Sequence, residues 1–282
     1  MLMKKIDVHC HTSNRPINDV VDGNATVDHI KSLMEKHDIE QTVFLATYFP
    51  HKGSGISNYR LLEWVKNKKD YWSEGFKLFG SLDFEYYFYQ GINELEELAS
   101  ERYIHGIKIY TCYQNIDILS DKMNMVLEIA YKHHLPVMFH TGYSYSSWRK
   151  YNKVTVATPY SAKPLSVLAR QWPDIQFIFS HLSKPFFHEV IIACQKYPNI
   201  NTDISGIIDS KYDEQEINIC VEEIKMFLNN CSHKQLLFGT DFPVQTHEHS
   251  IRFIEESISD KKIKEDVYYN NAKRILGGCY ES

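Results

Sequence analysis

The segment Ile6-Asp7-Val8-His9-Cys10-His11 places two imidazoles and a carboxylate at alternate positions. In an extended strand residues two apart share a face, so Asp7, His9 and His11 are expected to point one way and Val8 and Cys10 the other. Two imidazoles on one face can share a metal ion. The spacing alone is weak evidence: the chain has 14 His in 282 residues, which gives about 0.7 such pairs by chance. A second pair, His247-Glu248-His249, enters a polar segment at a predicted helix start, where residues two apart diverge by about 200°. It is expected at the surface or in a loop. His133-His134 closes another predicted helix, where imidazole suits the terminal carbonyls and the dipole.

Three more apolar runs finish in the same residue types. Pro136-Val-Met-Phe ends in His140, Ile175-Gln-Phe-Ile-Phe-Ser ends in His181, and Leu236-Leu-Phe-Gly-Thr ends in Asp241. Any one of these is an ordinary cap or buried polar group. Together they crowd one end of the fold with ionisable groups, each needing a partner to offset desolvation. A shared divalent cation satisfies them at once.

The elements that must carry these residues are eight short runs, Met3 to Val8, Gln41 to Thr47, Lys77 to Asp83, Gly106 to Tyr110, Pro136 to His140, Ile175 to His181, Ile200 to Ser205 and Leu236 to Asp241. Helical patterns separate them, such as the face shared by Ile30, Leu33 and Met34. Consecutive apolar positions, as in Val43-Phe44-Leu45-Ala46, fit strands covered on both faces. The fold expected is α/β, a TIM-like (β/α)8 barrel forming a single domain over residues 1–282, which suits a fold that uses about 250 residues. The third and seventh strands are the least distinct, and an open parallel sheet is the alternative.

Lys and Arg total 31 against 36 Asp and Glu, a formal charge of −5, which gives no general attraction to nucleic acid. No apolar run reaches the roughly 18 residues of a membrane span. Lys4 and Lys5 are followed at once by Asp7, His9 and His11, leaving no apolar stretch for a signal peptide, so a cytoplasmic protein is expected. Six scattered cysteines without a C-x-x-C are read as packed thiols.

The ordered set Asp7-x-His9-x-His11, Gly106-Ile-Lys-Ile-Tyr, Pro136-Val-Met-Phe-His140-Thr-Gly, Phe179-Ser-His181-Leu, Phe238-Gly-Thr-Asp241-Phe-Pro and Asn271-Ala-Lys-Arg-Ile-Leu-Gly resembles the amidohydrolase superfamily, most closely its amidohydrolase-related (type 2) hydrolases and decarboxylases. The resemblance implies one divalent metal held by His9, His11, His140 and Asp241, with His181 beside a metal-bound water. Nitrogen ligands at about 2.0 to 2.1 Å, a carboxylate oxygen and one open position suit zinc; manganese, iron or cobalt can use the same ligands. Lys108 corresponds to a lysine that binuclear relatives carboxylate to bridge two metals. The default reading is a buried ammonium paired with a carboxylate, either Asp83 or one on the substrate. Lys108 shares a strand face with Tyr110, and both are candidate substrate-binding residues. Arg149, in the aromatic loop Tyr143 to Tyr151, is a third, with Arg15 and Lys184 as secondary candidates.

The expected reaction is hydrolysis of a small lactone, amide or related carbonyl compound by a metal-activated water. Asp241 would shuttle the proton, and His181 would orient the water or stabilise the oxyanion. The alternative is non-oxidative decarboxylation of an aromatic or unsaturated carboxylic acid. A barrel retained only as a metal-binding scaffold is a third reading. The partner expected is a small-molecule substrate, with a carboxylate suggested, and neither nucleic acid nor a membrane; the family resemblance adds a homodimer.

Overall fold

The structure, a computed structural model, describes residues 3–47, 55–66, 75–142, 161–208 and 212–277. Each apolar run becomes a strand: β1 (Lys5–Cys10), β2 (Ile39–Leu45), β3 (Phe76–Gly80), β4 (Gly106–Ile109), β5 (Val137–Phe139), β6 (Phe177–Phe179), β7 (Ile200–Asp203) and β8 (Leu236–Leu237). All neighbours pair in parallel and in chain order. β1 then meets the end of β8 through backbone bonds from Val8 N–H to the Phe238 carbonyl, Asp241 N–H to that of His9, and His11 N–H to that of Phe242. The ring is a TIM-like (β/α)8 barrel, and the open-sheet alternative falls.

The described helices are α1 (Val27–Lys36), α2 (Asn58–Lys66), α3 (Phe88–Ser100), α4 (Asp121–Lys132), α5 (Ala162–Gln171), α6 (Phe187–Lys196), α7 (Glu214–Asn230), α8 (His247–Ser257), α9 (Lys261–Glu265) and α10 (Asn271–Gly277). Several begin at side chains that accept an otherwise unpaired backbone N–H: Thr26 from His29, Ser120 from Met123, Asp213 from Glu216 and Thr246 from His249. Such caps stabilise a helix by about 1 kcal/mol each. None of the described helices is long and apolar enough to cross a membrane.

Period-2 alternation sorts the strand side chains into two apolar layers. Ile6, Val8, Val43, Leu45, Phe79, Met138, Ile178 and Leu237 pack inside the barrel. Their neighbours Phe44, Phe139, Phe177 and Phe179 face the helices. The inner layer is continued by Ala272, Ile275 and Leu276 of α10. That helix sits across the amino-terminal end of the strands: Asn271 donates to the carbonyls of His233 and Leu236, and Arg274 donates to Asn201 and to the Lys234 carbonyl. One end of the barrel is therefore plugged, and His140, His181 and Asp241 lie at the other.

The strands end earlier than the sequence runs suggest. His140 and His181 lie just beyond β5 and β6, and Asp241 lies four residues beyond β8. The backbone leaves the ladder because His181 and Asp241 adopt φ of 63° and 56°, a left-handed geometry costing about 1 to 2 kcal/mol for a non-glycine residue. Cys10, Cys112, Cys194, Cys220 and Cys231 are free thiols, as expected; Cys279 lies outside the described residues.

Candidate metal centre

Alternation fails inside β1, and the failure builds the site. Asp7 pairs with Thr42 but Cys10 with Phe44, so three steps on β1 face two on β2. Such a bulge re-aims side chains. Val8 stays in the inner layer, while Asp7 leaves the face expected for it. Its carboxylate accepts the N–H of His9, the N–H of Thr240 and the Thr240 hydroxyl. Burial pushes the Asp7 pKa up to about 7. Asp7 thus ties the backbone of β1 to the segment that carries Asp241.

The same region corrects the reading of the second histidine pair. His247 is buried at the start of α8, its ring stacked on His37 and its Nε2 3.7 Å from Asp7. His249 is half-buried. The first turn of α8 packs against the barrel wall, so a polar-looking helix start is covered.

His9 and His11 converge as expected. Their Nε2 atoms lie 3.3 and 3.1 Å from the same oxygen of Asp241, Oδ1. The three donors lie within 4.8 Å of one another. Two imidazole nitrogens and a carboxylate oxygen are a donor set that fits a divalent transition metal. The His9 side chain is 1% exposed, whereas His11 and Asp241 retain 22% and 13%, so solvent approaches from the side of those two residues. Burial favours the neutral form of Asp241, but His9 and the bond from His11 outweigh it and hold the carboxyl well below its usual range. The segment is held by the 2.7 Å bond from Asp241 N–H to the His9 carbonyl. Gly206, at φ 56°, lies against Asp241 Oδ2 where any Cβ would collide.

His140 borders this cluster. Its Nδ1 is 3.2 Å from His181 Nε2, and its ring packs edge-on against Tyr113. His181 in turn donates from Nδ1 to the Ser205 carbonyl at 2.8 Å. Burial pushes the His181 pKa down to about 4.

Lys108 is fully buried, and its Nζ donates to the Ser180 hydroxyl at 2.9 Å. Burial lowers its pKa to about 8, against the charges of Asp203 and Asp241, which raise it. Those are the carboxylates that bear on Lys108, in place of the expected Asp83, which accepts the N–H groups of Glu85 and Tyr86. Tyr110 is buried with Lys108 Nζ 5.3 Å from its ring centre, in keeping with a shared strand face. Burial and the Asp241 charge push its hydroxyl well above the usual range. Of the secondary candidates, Arg15 is exposed, and Lys184 turns to the Ile207 carbonyl, Cys220 and Glu223 beside α7. Arg149 and its loop lie outside the described residues.

Sequence reasoning missed Asp203, Ser205 and Ser180. Asp203 ends β7 and is completely buried, with Oδ2 3.1 Å from His9 Nδ1. Burial works to raise its pKa, but His9 and His181 together with the Ser205 bond pull it below the usual carboxylate range. The others each follow an apolar run, whereas Asp203 follows the polar Asn201 and Thr202, so that signal is missing.

The amidohydrolase family model matches residues 6–278. No curated protein sequence matches the chain significantly. Among solved structures, a probable 2-pyrone-4,6-dicarboxylic acid hydrolase from Acinetobacter baumannii, with citric acid bound, is similar at 17% identity and TM-score 0.67, over 98% of this chain and 100% of that one. The 5-carboxyvanillate decarboxylase of Sphingomonas paucimobilis is similar at 14% identity and TM-score 0.66, over 98% and 99%. A dihydroxybenzoic acid decarboxylase from a Polaromonas species, with bound manganese and the inhibitor 2-nitroresorcinol, is similar at 12% identity and TM-score 0.64, over 98% and 97%. At these identities the likeness speaks to the fold.

Proposed function

The chain belongs to the amidohydrolase family, and on that premise we propose that it is a metal-dependent hydrolase of a small carbonyl substrate bearing a carboxylate. The observation that carries this reading is the convergence of His9 Nε2 and His11 Nε2 on Asp241 Oδ1. These three residues, with His140 as the fourth, would hold one divalent ion, and the nitrogen-rich set favours zinc. When bound there, such an ion lowers the pKa of water from 15.7 toward about 7 and polarises a carbonyl.

The chain's own groups divide the remaining work. Asp241 accepts a proton from the attacking water and returns it to the leaving group, a role suited to a carboxylate that is partly open to solvent. The Nδ1–H of His181 is spent on the Ser205 carbonyl, so its Nε2 is an acceptor. That Nε2 lies 3.2 Å from His140 Nδ1 and accepts its N–H, so His181 acts by holding the His140 ring beside the reacting water rather than by donating to an oxyanion. Lys108, its Nζ 5.3 Å from the Tyr110 ring centre, supplies a buried cation for the substrate carboxylate, and pairing offsets the cost of burying the ammonium.

A second reading is decarboxylation, supported by the decarboxylases among the similar structures. There Lys108 would hold the carboxylate that leaves, and a proton would go to carbon. Turnover of a panel of lactones, amides and aromatic acids in H2(18)O separates the two. Hydrolysis puts solvent oxygen into the product, and release of CO2 without that label replaces the proposal with the lyase.

A further inference from the structure

Asp203, a fully buried carboxylate, has no task in the mechanism above. Asp203 stands behind His9, on the side away from Asp241: His9 Nε2 faces Asp241 Oδ1, and His9 Nδ1 faces Asp203 Oδ2. We infer that Asp203, acting with Ser205, is a positioning residue that fixes which nitrogen carries the proton on His9, His181 and His140.

The assignment follows from counting protons. The Ser205 hydroxyl has one, and at 2.5 Å from Asp203 Oδ1 it is donated to the carboxylate. Toward the two imidazoles that approach it, His9 Nδ1 at 2.9 Å and His181 Nδ1 at 3.1 Å, the Ser205 oxygen can then only accept. Both rings therefore carry their proton on Nδ1. For His181 the Ser205 carbonyl requires the same, and for His9 Asp203 Oδ2 does. His181 Nε2, left bare, accepts from His140 Nδ1–H at 3.2 Å. His140 is thereby left with an unprotonated Nε2, and so is the neutral His9 ring, its one proton held on Nδ1, which is the state that binds a metal; Asp241 Oδ1, 3.3 Å away, competes for a proton on His9 Nε2 until a cation takes that place. Asp203 Oδ1 also accepts the N–H groups of His181 and Ser205, so one carboxylate orders the backbone of the left-handed turn and the protons of three rings. Outer-shell carboxylates of this kind raise ligand affinity, and losing one typically costs about 10- to 100-fold.

The inference rests on the metal reading for its consequence but not for its proton assignment. In Asp203→Asn the three donors at Oδ1 keep the amide oxygen on that side and turn the amide NH2 toward His9 Nδ1. The His9 proton is then driven to Nε2. Zinc affinity, measured by chelator competition, is expected to fall about 10- to 100-fold, with a smaller fall in Ser205→Ala. In 15N spectra of metal-free, histidine-labelled wild-type protein at pH 9, His9, His181 and His140 are expected to carry Nδ1–H. Wild-type His9 protonated on Nε2, or Asp203→Asn binding zinc as tightly as wild type, overturns the inference. If His11→Ala bound zinc as wild type does, the metal reading would fall, while the tautomers read without metal would still stand.

Discussion

The two ends of this barrel use the same strands for opposite purposes. At the amino-terminal end, Ile6, Met138 and Ile178 pack in one buried apolar cluster with Ile275 and Leu276 of α10. At the carboxyl end, a few residues along the same strands, His9, His11, His181, Asp203 and Asp241 crowd ionisable groups that would repel water-free surroundings unless paired. Histidine occurs at both ends with different consequences. His105, just before β4, is buried as a packed neutral ring whose Nδ1 accepts from Leu78 N–H. The rings at the other end face one another and a carboxylate. On the proposed function, the plug supplies stability without chemistry, and the cluster supplies chemistry at a cost in stability that the plug must offset.

Substitutions should separate these contributions. The largest effect is expected at the open end: His11→Ala should weaken zinc binding by more than about 100-fold, since loss of an outer partner alone costs about 10- to 100-fold, while the metal-free protein keeps its fold by circular dichroism. At the plugged end, Ile178→Ala should cost about 2 to 5 kcal/mol in denaturant unfolding and leave zinc affinity unchanged. Asn271→Ala, which leaves the His233 and Leu236 carbonyls without their side-chain donor, should cost about 1 to 3 kcal/mol. A metal-binding defect in either plug variant would break the division.

The subtlest test is acidity at the plugged end. Burial lowers the His105 pKa from 6.5 to about 3, so between those values the unfolded chain binds the proton that the folded chain refuses. The stability contributed by this residue is complete above pH 6.5 and lost as pH falls toward 3. Urea unfolding of His105→Gln should show a flatter decline over that window than wild type. Parallel curves would mean that the buried ring does not resist protonation.

Much of this division can be read from the chain. Strands such as β2, β6 and β8 are legible because their interiors are apolar on consecutive residues, and His140, His181 and Asp241 are legible because each follows such a run. β7 hides Asp203, since Ile-Asn-Thr-Asp looks polar; Asn201 and Thr202 are buried through bonds to the carbonyls of Phe177 and Phe179 that only the folded barrel supplies. Asp7 is misassigned because the bulge in β1 is set by its register with β2, which alternation within one strand does not encode. The partner of Lys108 is 72 residues away, at Ser180, and the burial of His247 depends on where α8 docks. Local pattern reveals which residues are present, and tertiary register decides which atoms meet.

On the proposed function, His9, His11 and Asp241 grip one divalent ion. X-ray absorption at the zinc edge of the loaded protein tests it most directly, with His11→Ala as the comparison. Imidazole scattering at about 2.0 to 2.1 Å, diminished by one ring in the variant, is the expected result. One zinc per chain with identical spectra in both proteins, or no zinc retained by wild type, would contradict it.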